Sequence, residues 1–310
     1  MTIPSDLTKI SPIEFQEFIN SFDTVLCDCD GVLIFVQKPV EGSPEAVINF
    51  KKIGKSVRYV TNNCTKTKKL FTESLKKAGY DLEEHDVISP AAAIIKYLKS
   101  INFDKKLFVM SLDGLQNDLI EAGFKLANTG PPQVEHESKA IVSAIFGLDD
   151  DVGAVIMDVD VNMNFIKLQR AILHLNDPQV LYMTAALDDM ITIAKNVTLI
   201  GPQHFHGIVQ KISGRSPLEF GKPGQKMIDY VKNEFKVDPN RTLFIGDTFS
   251  DMSFAHHAGY QKLLVLSGVV NKSDMESCKD DTLTPKYYLE SLGELNNFLD
   301  KMQPSKNSSL

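Results

Sequence analysis

The stretch Phe22-Asp23-Thr24-Val25-Leu26-Cys27-Asp28-Cys29-Asp30-Gly31-Val32-Leu33 constrains this chain more than any other. Its apolar, β-branched opening reads as a buried strand, and the glycine behind the second carboxylate allows a sharp turn. Side chains two apart on a strand share a face, so Asp28 and Asp30 leave it together while Cys27 and Cys29 face away. Carboxylates that close repel one another unless a cation sits between or beside them. A hard divalent cation, Mg²⁺, is the simplest resolution.

The flanking sequence predicts an α/β fold. Ser43-Pro44 opens a helix that runs to Gly54, Val57–Thr61 reads as a strand, and residues 66–78 read as a helix closed by Gly79. Pro90 opens another helix through Lys99. Strand, helix and strand joined by short connections indicate a doubly wound parallel sheet. From Lys106 to about Gly214 a separate α/β series follows, with strands at Leu107–Met110, Ala154–Met157 and Val180–Met183 and helices at Leu112–Ala122 and Phe165–Leu175. After Phe220 the opening theme returns: Gly221-Lys222-Pro223 before a helix to Phe235, a strand Arg241–Ile245 ending in Gly246-Asp247, strands Gln261–Leu266 and Lys286–Leu289, and a helix near Ser291–Lys301. The expected organisation is a core from 1–103 and 215–310 with an inserted α/β cap at 104–214.

At 310 residues with 43% hydrophobic content the chain can pack two medium domains. Lys+Arg 33 against Asp+Glu 40 leaves a net charge of −7, which argues against a nucleic-acid surface, because that requires clustered positive charge. The 4 cysteines lack both zinc-site spacing and the density of a disulfide scaffold, so a reducing cytoplasm is expected. No apolar run approaches the ~20 residues of a membrane span, and Met1–Asp6 lacks the start of a leader. The sequons at Asn63 and Asn196 read as chance matches, and Ser308-Ser309-Leu310 only loosely resembles a peroxisomal tripeptide.

Four short pieces stand at expected strand ends or helix starts, where open α/β sheets bind ligands: Asp28-x-Asp30, Thr61-Asn62-Asn63, Gly221-Lys222-Pro223 and Gly246-Asp247-x-x-x-Asp251. Each is weak alone, since a DxD is often a solvated turn and a GDxxxD often a helix cap; their order and strand context make the set informative. Together they supply what phosphoryl transfer to a carboxylate requires. Asp28 can act as nucleophile, and Asp30 can protonate the leaving alkoxide and then deprotonate water. Mg²⁺ is expected on Asp28, Asp247 and a carbonyl of Asp30. Thr61, Asn62, Asn63, Gly31 and Lys222 are the candidates for holding phosphate oxygens, and Asp251 for supporting the metal site or Lys222. Gly221-Lys222-Pro223 is not a nucleotide P-loop, lacking its glycine spacing and Ser/Thr. His256-His257 on a helix point about 100° apart and read as packing or surface residues rather than zinc ligands.

With these residues the chain resembles the haloacid dehalogenase superfamily of phosphatases, most closely the group of 4-nitrophenylphosphatase, phosphoglycolate and pyridoxal phosphatases and NagD, whose large α/β cap is inserted between the second and third motifs. The resemblance covers nearly the whole chain, including Val60-Thr61-Asn62-Asn63, Gly246-Asp247 and Ser267-Gly268-Val269. It implies a Mg²⁺-dependent hydrolase of a small phosphomonoester, with 4-nitrophenyl phosphate as an artificial substrate, and a homodimer formed through the cap. Departures are concentrated outside the acids. Ile34-Phe35-Val36 stands where an aromatic, often Trp, is usual; Cys64 replaces a small polar residue; Thr248-Phe249 replaces Arg-Leu; the second acid comes one position early as Asp251. In the cap, Thr184-Ala185-Ala186-Leu187-Asp188 replaces Thr-Asn-x-Asp, and Gly201-Pro202-Gln203 replaces Gly-Thr-Gly. Met183, Thr184, Leu187, Asp188 and Phe205 are therefore either the lining of a less polar substrate pocket or cap core. The first alternative extends the substrate class from phosphoglycolate and pyridoxal phosphate to isoprenyl phosphates such as farnesyl phosphate. A different class, a catalytically weak relative that binds a phosphorylated ligand or protein as a regulator, is opposed by the retained acid Asp30.

Overall fold

In the computed structural model, which describes residues 4–36, 38–194 and 197–300, Thr24–Asp28 lies inside a seven-stranded parallel sheet. The strand order is Ser5–Asp6, Tyr287–Leu289, Gln261–Val265, Thr242–Gly246, Thr24–Asp28, Ser56–Val60, Val87–Ile88. From the Asp28 strand the chain first builds towards Val87–Ile88; after its return it builds the other way, from Thr242–Gly246 outward. The order thus reverses between the Asp28 and Asp247 strands, and a crevice at the carboxyl ends of such a pair is where open α/β sheets place their ligands.

Alternation along the central strand explains its burial. Val25, Cys27 and Cys29 enter one core with Phe18, Phe22, Phe50 and Leu75, whereas Leu26 and Asp28 face the other side. Phe22 and Phe50 are fully buried and meet edge to face at 6.2 Å, each contributing roughly 1.5–3 kcal/mol through the apolar surface it removes from water. Local chemistry sets the helix limits. Gly42, at φ 74°, starts Ser43–Lys52 with Pro44 in its first turn; Ser89 caps Pro90–Ser100 by accepting from the Ala92 N–H.

Contacts divide the chain into two compact units, Met1–Thr61, Phe71–Ile88 and Ile228–Leu310 in the first, Asn62–Leu70 and Ser89–Met227 in the second. The second is wider than the 104–214 insertion read from sequence, since it includes the helix Pro90–Ser100 and Gly221-Lys222-Pro223. Its sheet is also parallel, ordered Leu218–Glu219, Leu181–Thr184, Val152–Met157, Lys106–Met110. Helices Asp113–Glu121, Ser138–Phe146, Phe165–Leu175 and Gln203–Ser213 accompany it.

The antiparallel pair Met190–Ala194 and Val197–Ile200 is absent from the sequence reading, as are the helices Ser138–Phe146 and Gln203–Ser213. No Asn-Gly or Asp-Gly marks the reversal in the pair. The helix expected near Ser291–Lys301 is, over its described residues, a 3₁₀ turn at Leu292–Leu295 followed by a short α-helix at Asn296–Leu299; Lys301 lies outside the described residues. Asn196 and Ser308-Ser309-Leu310 lie outside the described residues, as do Met1-Thr2-Ile3.

Candidate active site

At the carboxyl edge of the first unit's sheet, Asp28, Asp247 and Asp251 each present a carboxylate oxygen within 4.8 Å of the others. All three are buried, at 7%, 1% and 2% exposure. Asp28 is the last residue of its strand, and Asp247 follows the next strand directly, so the reversal of strand order sets them side by side. Asp251 comes from the first turn of the helix Phe249–Ala258. Its Oδ2 accepts from the Thr248 hydroxyl at 2.8 Å and from the Asp247 and Thr248 N–H groups at 3.2 Å, while its own N–H donates to the Thr248 hydroxyl at 3.0 Å. This capping box uses one carboxylate oxygen of Asp251 to order the turn that carries Asp247.

Asp247 is held as firmly. Its Oδ2 accepts from the Val269 N–H at 2.9 Å, and its carbonyl from the Val270 N–H at 3.0 Å. Two glycines bring bare main chain against the carboxylate: a Cβ on Gly268 would stand 1.8 Å from Oδ2, and one on Gly31 2.4 Å. Gly31 adopts φ 88°, which no side-chain-bearing residue enters easily, and the Ser267 hydroxyl donates to its carbonyl at 2.7 Å. The turn Gly31–Ile34 therefore folds back onto Asp247 only because both contact points lack a side chain.

Three ionised carboxylates at that separation repel by about 3 kcal/mol per pair at an effective dielectric of about 20. An all-oxygen, carboxylate-rich donor set matches a hard divalent cation rather than zinc, which favours nitrogen and sulfur. Among the described residues this is the one cluster of three or more His, Cys, Asp or Glu able to hold a metal ion; exposed His256 and His257 take no part in it. The residues present thus fit a divalent cation.

Asp30 is half-buried at the start of the turn, bridged to Ile34. Thr61, 1% exposed, follows Val60, the register partner of Asp28, and its N–H donates to the Ile88 carbonyl at 3.0 Å. Cys27 and Cys29 are fully buried, and burial, helped by the charge of Asp28, pushes the Cys27 thiol far up.

The second unit gathers Asn62, Asp188 and Lys222. Asn62 clamps the Gly-Lys-Pro turn reciprocally: its Oδ1 accepts from the Lys222 N–H at 2.7 Å and its Nδ2 donates to the Lys222 carbonyl at 3.0 Å. The same Nδ2 donates to Asp188 Oδ2 at 3.5 Å. Gly221 is packed so closely on the Ala185 carbonyl that a Cβ would approach it to 2.3 Å. Lys222 is 3% exposed. Asn63 instead serves its own turn, its Oδ1 accepting from the Thr65 N–H at 3.0 Å and hydroxyl at 2.7 Å.

Of the five residues considered for a cap pocket, Met183 and Thr184 have no exposed surface, because both belong to the interior strand Leu181–Thr184. Phe205 packs on that unit's core with Tyr182 and Val209; Leu187 and Asp188 are the part-exposed members. Thr184 belongs to a buried polar chain the sequence reading missed. Its hydroxyl donates to the Ala186 carbonyl at 2.8 Å and lies 2.6 Å from His206 Nε2, while His206 Nδ1 lies 3.2 Å from the Tyr182 hydroxyl. Burial lowers His206 to about 4, so the ring is neutral, and a donating Thr184 requires the proton on Nε2. Asp158, 2% exposed after the strand Val152–Met157, was also missed, although an acid directly behind an apolar strand is the same signal that marks Asp247.

Residues 25–125 match the model of haloacid dehalogenase-like hydrolases and residues 219–295 a second model of HAD-like hydrolases. The chain is 30% identical over 283 residues to the chloroplastic phosphoglycolate phosphatase 1A of Arabidopsis thaliana, covering 90% of this chain and 78% of that protein. It is 29% identical over 291 residues to the 4-nitrophenylphosphatase of Schizosaccharomyces pombe, covering 92% and 97%. Its fold matches the crystal structure of the 4-nitrophenylphosphatase from Thermotoga maritima with a TM-score of 0.75 at 18% identity, over 90% of this chain and 98% of that one. A carboxylate cluster at the switch point of a parallel sheet, carried by a chain with these relatives, has one reading: the protein belongs to the haloacid dehalogenase-like hydrolases and is an enzyme of their phosphatase group.

Proposed function

We propose that this phosphatase hydrolyses a small-molecule phosphomonoester with Mg²⁺ and that Asp28 is transiently phosphorylated. The buried cluster of Asp28, Asp247 and Asp251 carries the reading. Asp28 and Asp247, with the main-chain carbonyl of Asp30, are the proposed ligands, and Asp251 supports them through the turn it caps. When bound, the cation offsets the repulsion between an anionic nucleophile and an anionic phosphate.

In the first half-reaction a carboxylate oxygen of Asp28 attacks phosphorus, the bond to the ester oxygen breaks, and Asp30 gives its proton to the departing alkoxide. In the second, Asp30 takes a proton from water as the water oxygen attacks the phosphoryl group, releasing inorganic phosphate and regenerating Asp28. Thr61, Asn62, the Gly31 main chain and Lys222 are assigned to the phosphate oxygens, where charge is spread in the transition state. Asn62 serves by fixing the Lys222 main chain; Asn63 is a weaker member because its carbonyl oxygen serves its own turn.

The reading includes a catalytic core at 1–103 and 215–310, a cap at 104–214, cytoplasmic residence and a homodimer through the cap. For the natural substrate, phosphoglycolate or pyridoxal phosphate types are favoured over isoprenyl phosphates, since Met183 and Thr184 contribute no surface to an apolar lining.

The test is 4-nitrophenyl phosphate turnover with Mg²⁺, wild type beside Asp28→Asn. The variant should lose at least about 10³-fold in kcat while keeping its melting temperature, a loss within the range for removal of a nucleophile. EDTA should abolish wild-type turnover and Mg²⁺ restore it. Undiminished turnover by the variant removes Asp28 from the nucleophile's role.

A further inference from the structure

Ser43 and Tyr80 carry buried hydroxyls that the chemistry above does not use. The sequence marks Ser43 as a helix cap, yet Gly42 takes that place without a side-chain cap bond, so the Ser43 hydroxyl is spare, and it lies wholly buried. Gly79, at φ 98°, reverses the chain behind the helix Lys68–Lys77 and turns Tyr80 inward, to 3% exposure. Both hydroxyls end on one main-chain oxygen. The Tyr80 hydroxyl donates to the Leu33 carbonyl at 2.6 Å and lies 2.5 Å from the Ser43 hydroxyl, which itself reaches the Leu33 carbonyl at 3.2 Å and the Val40 carbonyl at 2.6 Å. Burial pushes the Tyr80 phenol up, so it stays protonated and donates.

Leu33 closes the turn that carries Asp30. Its N–H and that of Ile34 donate to the Cys29 carbonyl at 2.9 and 3.0 Å, and the Gly31 N–H donates to the Ile34 carbonyl at 2.9 Å, so residues 29–34 move as one piece. Asp30 sits between Cys29, tied to Leu33, and Gly31, whose carbonyl accepts from the Ser267 hydroxyl. The Val40 N–H already donates to the Leu33 carbonyl at 2.8 Å, which satisfies a buried acceptor. The phenol is not needed for that; it restrains the turn from a second direction. All of these residues belong to the first unit. A misplacement of about 1 Å in a reacting group costs up to about 10²-fold in rate.

We propose that Tyr80, seconded by Ser43, is a positioning residue for Asp30, holding the acid's turn where its proton reaches the departing oxygen. This rests on the reading of Asp30 as general acid.

The experiment compares two aryl phosphates of similar shape on the full chain with Mg²⁺. Phenyl phosphate releases a phenolate as basic as that of tyrosine, with a pKa of about 10, and needs the acid's proton; 4-nitrophenyl phosphate releases a far weaker base that departs without it. The quantity read is kcat/KM, since it covers the steps up to ester cleavage and excludes hydrolysis of the aspartyl-phosphate. Tyr80→Phe, which removes only the hydroxyl, should lower kcat/KM for phenyl phosphate about tenfold more than for 4-nitrophenyl phosphate. Asp30→Asn should show the same selectivity at about 10²-fold. A purely structural role lowers both substrates alike. Should Tyr80→Phe not fold, Ser43→Ala is read in the same way, with a selective loss of about threefold expected. Equal losses on the two substrates in the folded variant, beside a discriminating Asp30→Asn, would overturn the proposal. Equal losses in Asp30→Asn as well would remove the acid role and the positioning role with it, whereas absence of wild-type turnover would remove the phosphatase reading itself.

Discussion

The two units use the same device, a parallel sheet with an acid directly behind an interior strand, and surround that acid differently. In the first, Asp247 and Asp251 accept from main-chain N–H groups and the Thr248 hydroxyl. Crowding three such groups then creates a demand for a cation. In the second, Asp158 is desolvated, one of its oxygens has no hydrogen-bond partner among the described residues, and it is pushed up to about 7. The difference lies in the donors around the carboxyl rather than in its place on a strand.

The comparison breaks first at Gly268. If bare main chain beside Asp247 holds the charged cluster, Gly268→Ala must displace that carboxylate, since its Cβ would fall 1.8 Å from Oδ2. An apparent Mg²⁺ affinity weakened by about 10–100-fold is expected from a titration of activity, as for a lost supporting contact. Unchanged affinity would show that the cradle does not matter.

A smaller effect sharpens the contrast through pH. Asp158, raised from 3.8 to about 7, contributes stability that is complete below about 4 and is lost as pH rises through about 7. His206, lowered from 6.5 to about 4, contributes stability that is present above about 6.5 and lost as pH falls through about 4. The two slopes oppose each other between those limits. Asp158→Asn should remove the alkaline loss, raising unfolding free energy near pH 8 relative to pH 5 on the order of a few kcal/mol compared with wild type. Denaturant titrations at both pH values read this directly.

The smallest expected change lies in the chain from Tyr182 through His206 and Thr184 to Ala186. Thr184→Val keeps the shape but leaves the Ala186 carbonyl and His206 without that hydroxyl. A loss of about 1–3 kcal/mol by urea denaturation is expected. A neutral result would mean that the 185–188 turn is held by its main-chain bonds alone.

Much of the first unit's site was legible before any coordinates. Asp28 and Asp30 were marked by period-2 alternation and a following glycine, and the burial of Val25, Cys27 and Cys29 on the opposite face follows that alternation. Asp247 stood behind an apolar strand, and Asp251 lay one helical turn on; the use of its Oδ2 in a capping box was not visible, because the Thr-x-x-Asp spacing is shared by many caps. Asp158 carried the signal of Asp247 and was passed over. Only neighbours distinguish the two, and neighbours depend on strand order. Met183 and Thr184 read from their motif as either pocket lining or cap core, and an interior strand buries both.

By itself, then, the sequence determined the central parallel strands, which way their side chains alternate, and that Asp28 and Asp247 stand where those strands end, because these are properties of near neighbours along the chain. The tertiary structure alone decided that Asp28 and Asp247, 219 positions apart, share one crevice with Asp251, and that Asp158 lies buried with an oxygen to spare. Desolvation and donor count at each acid are set by residues that only folding brings near.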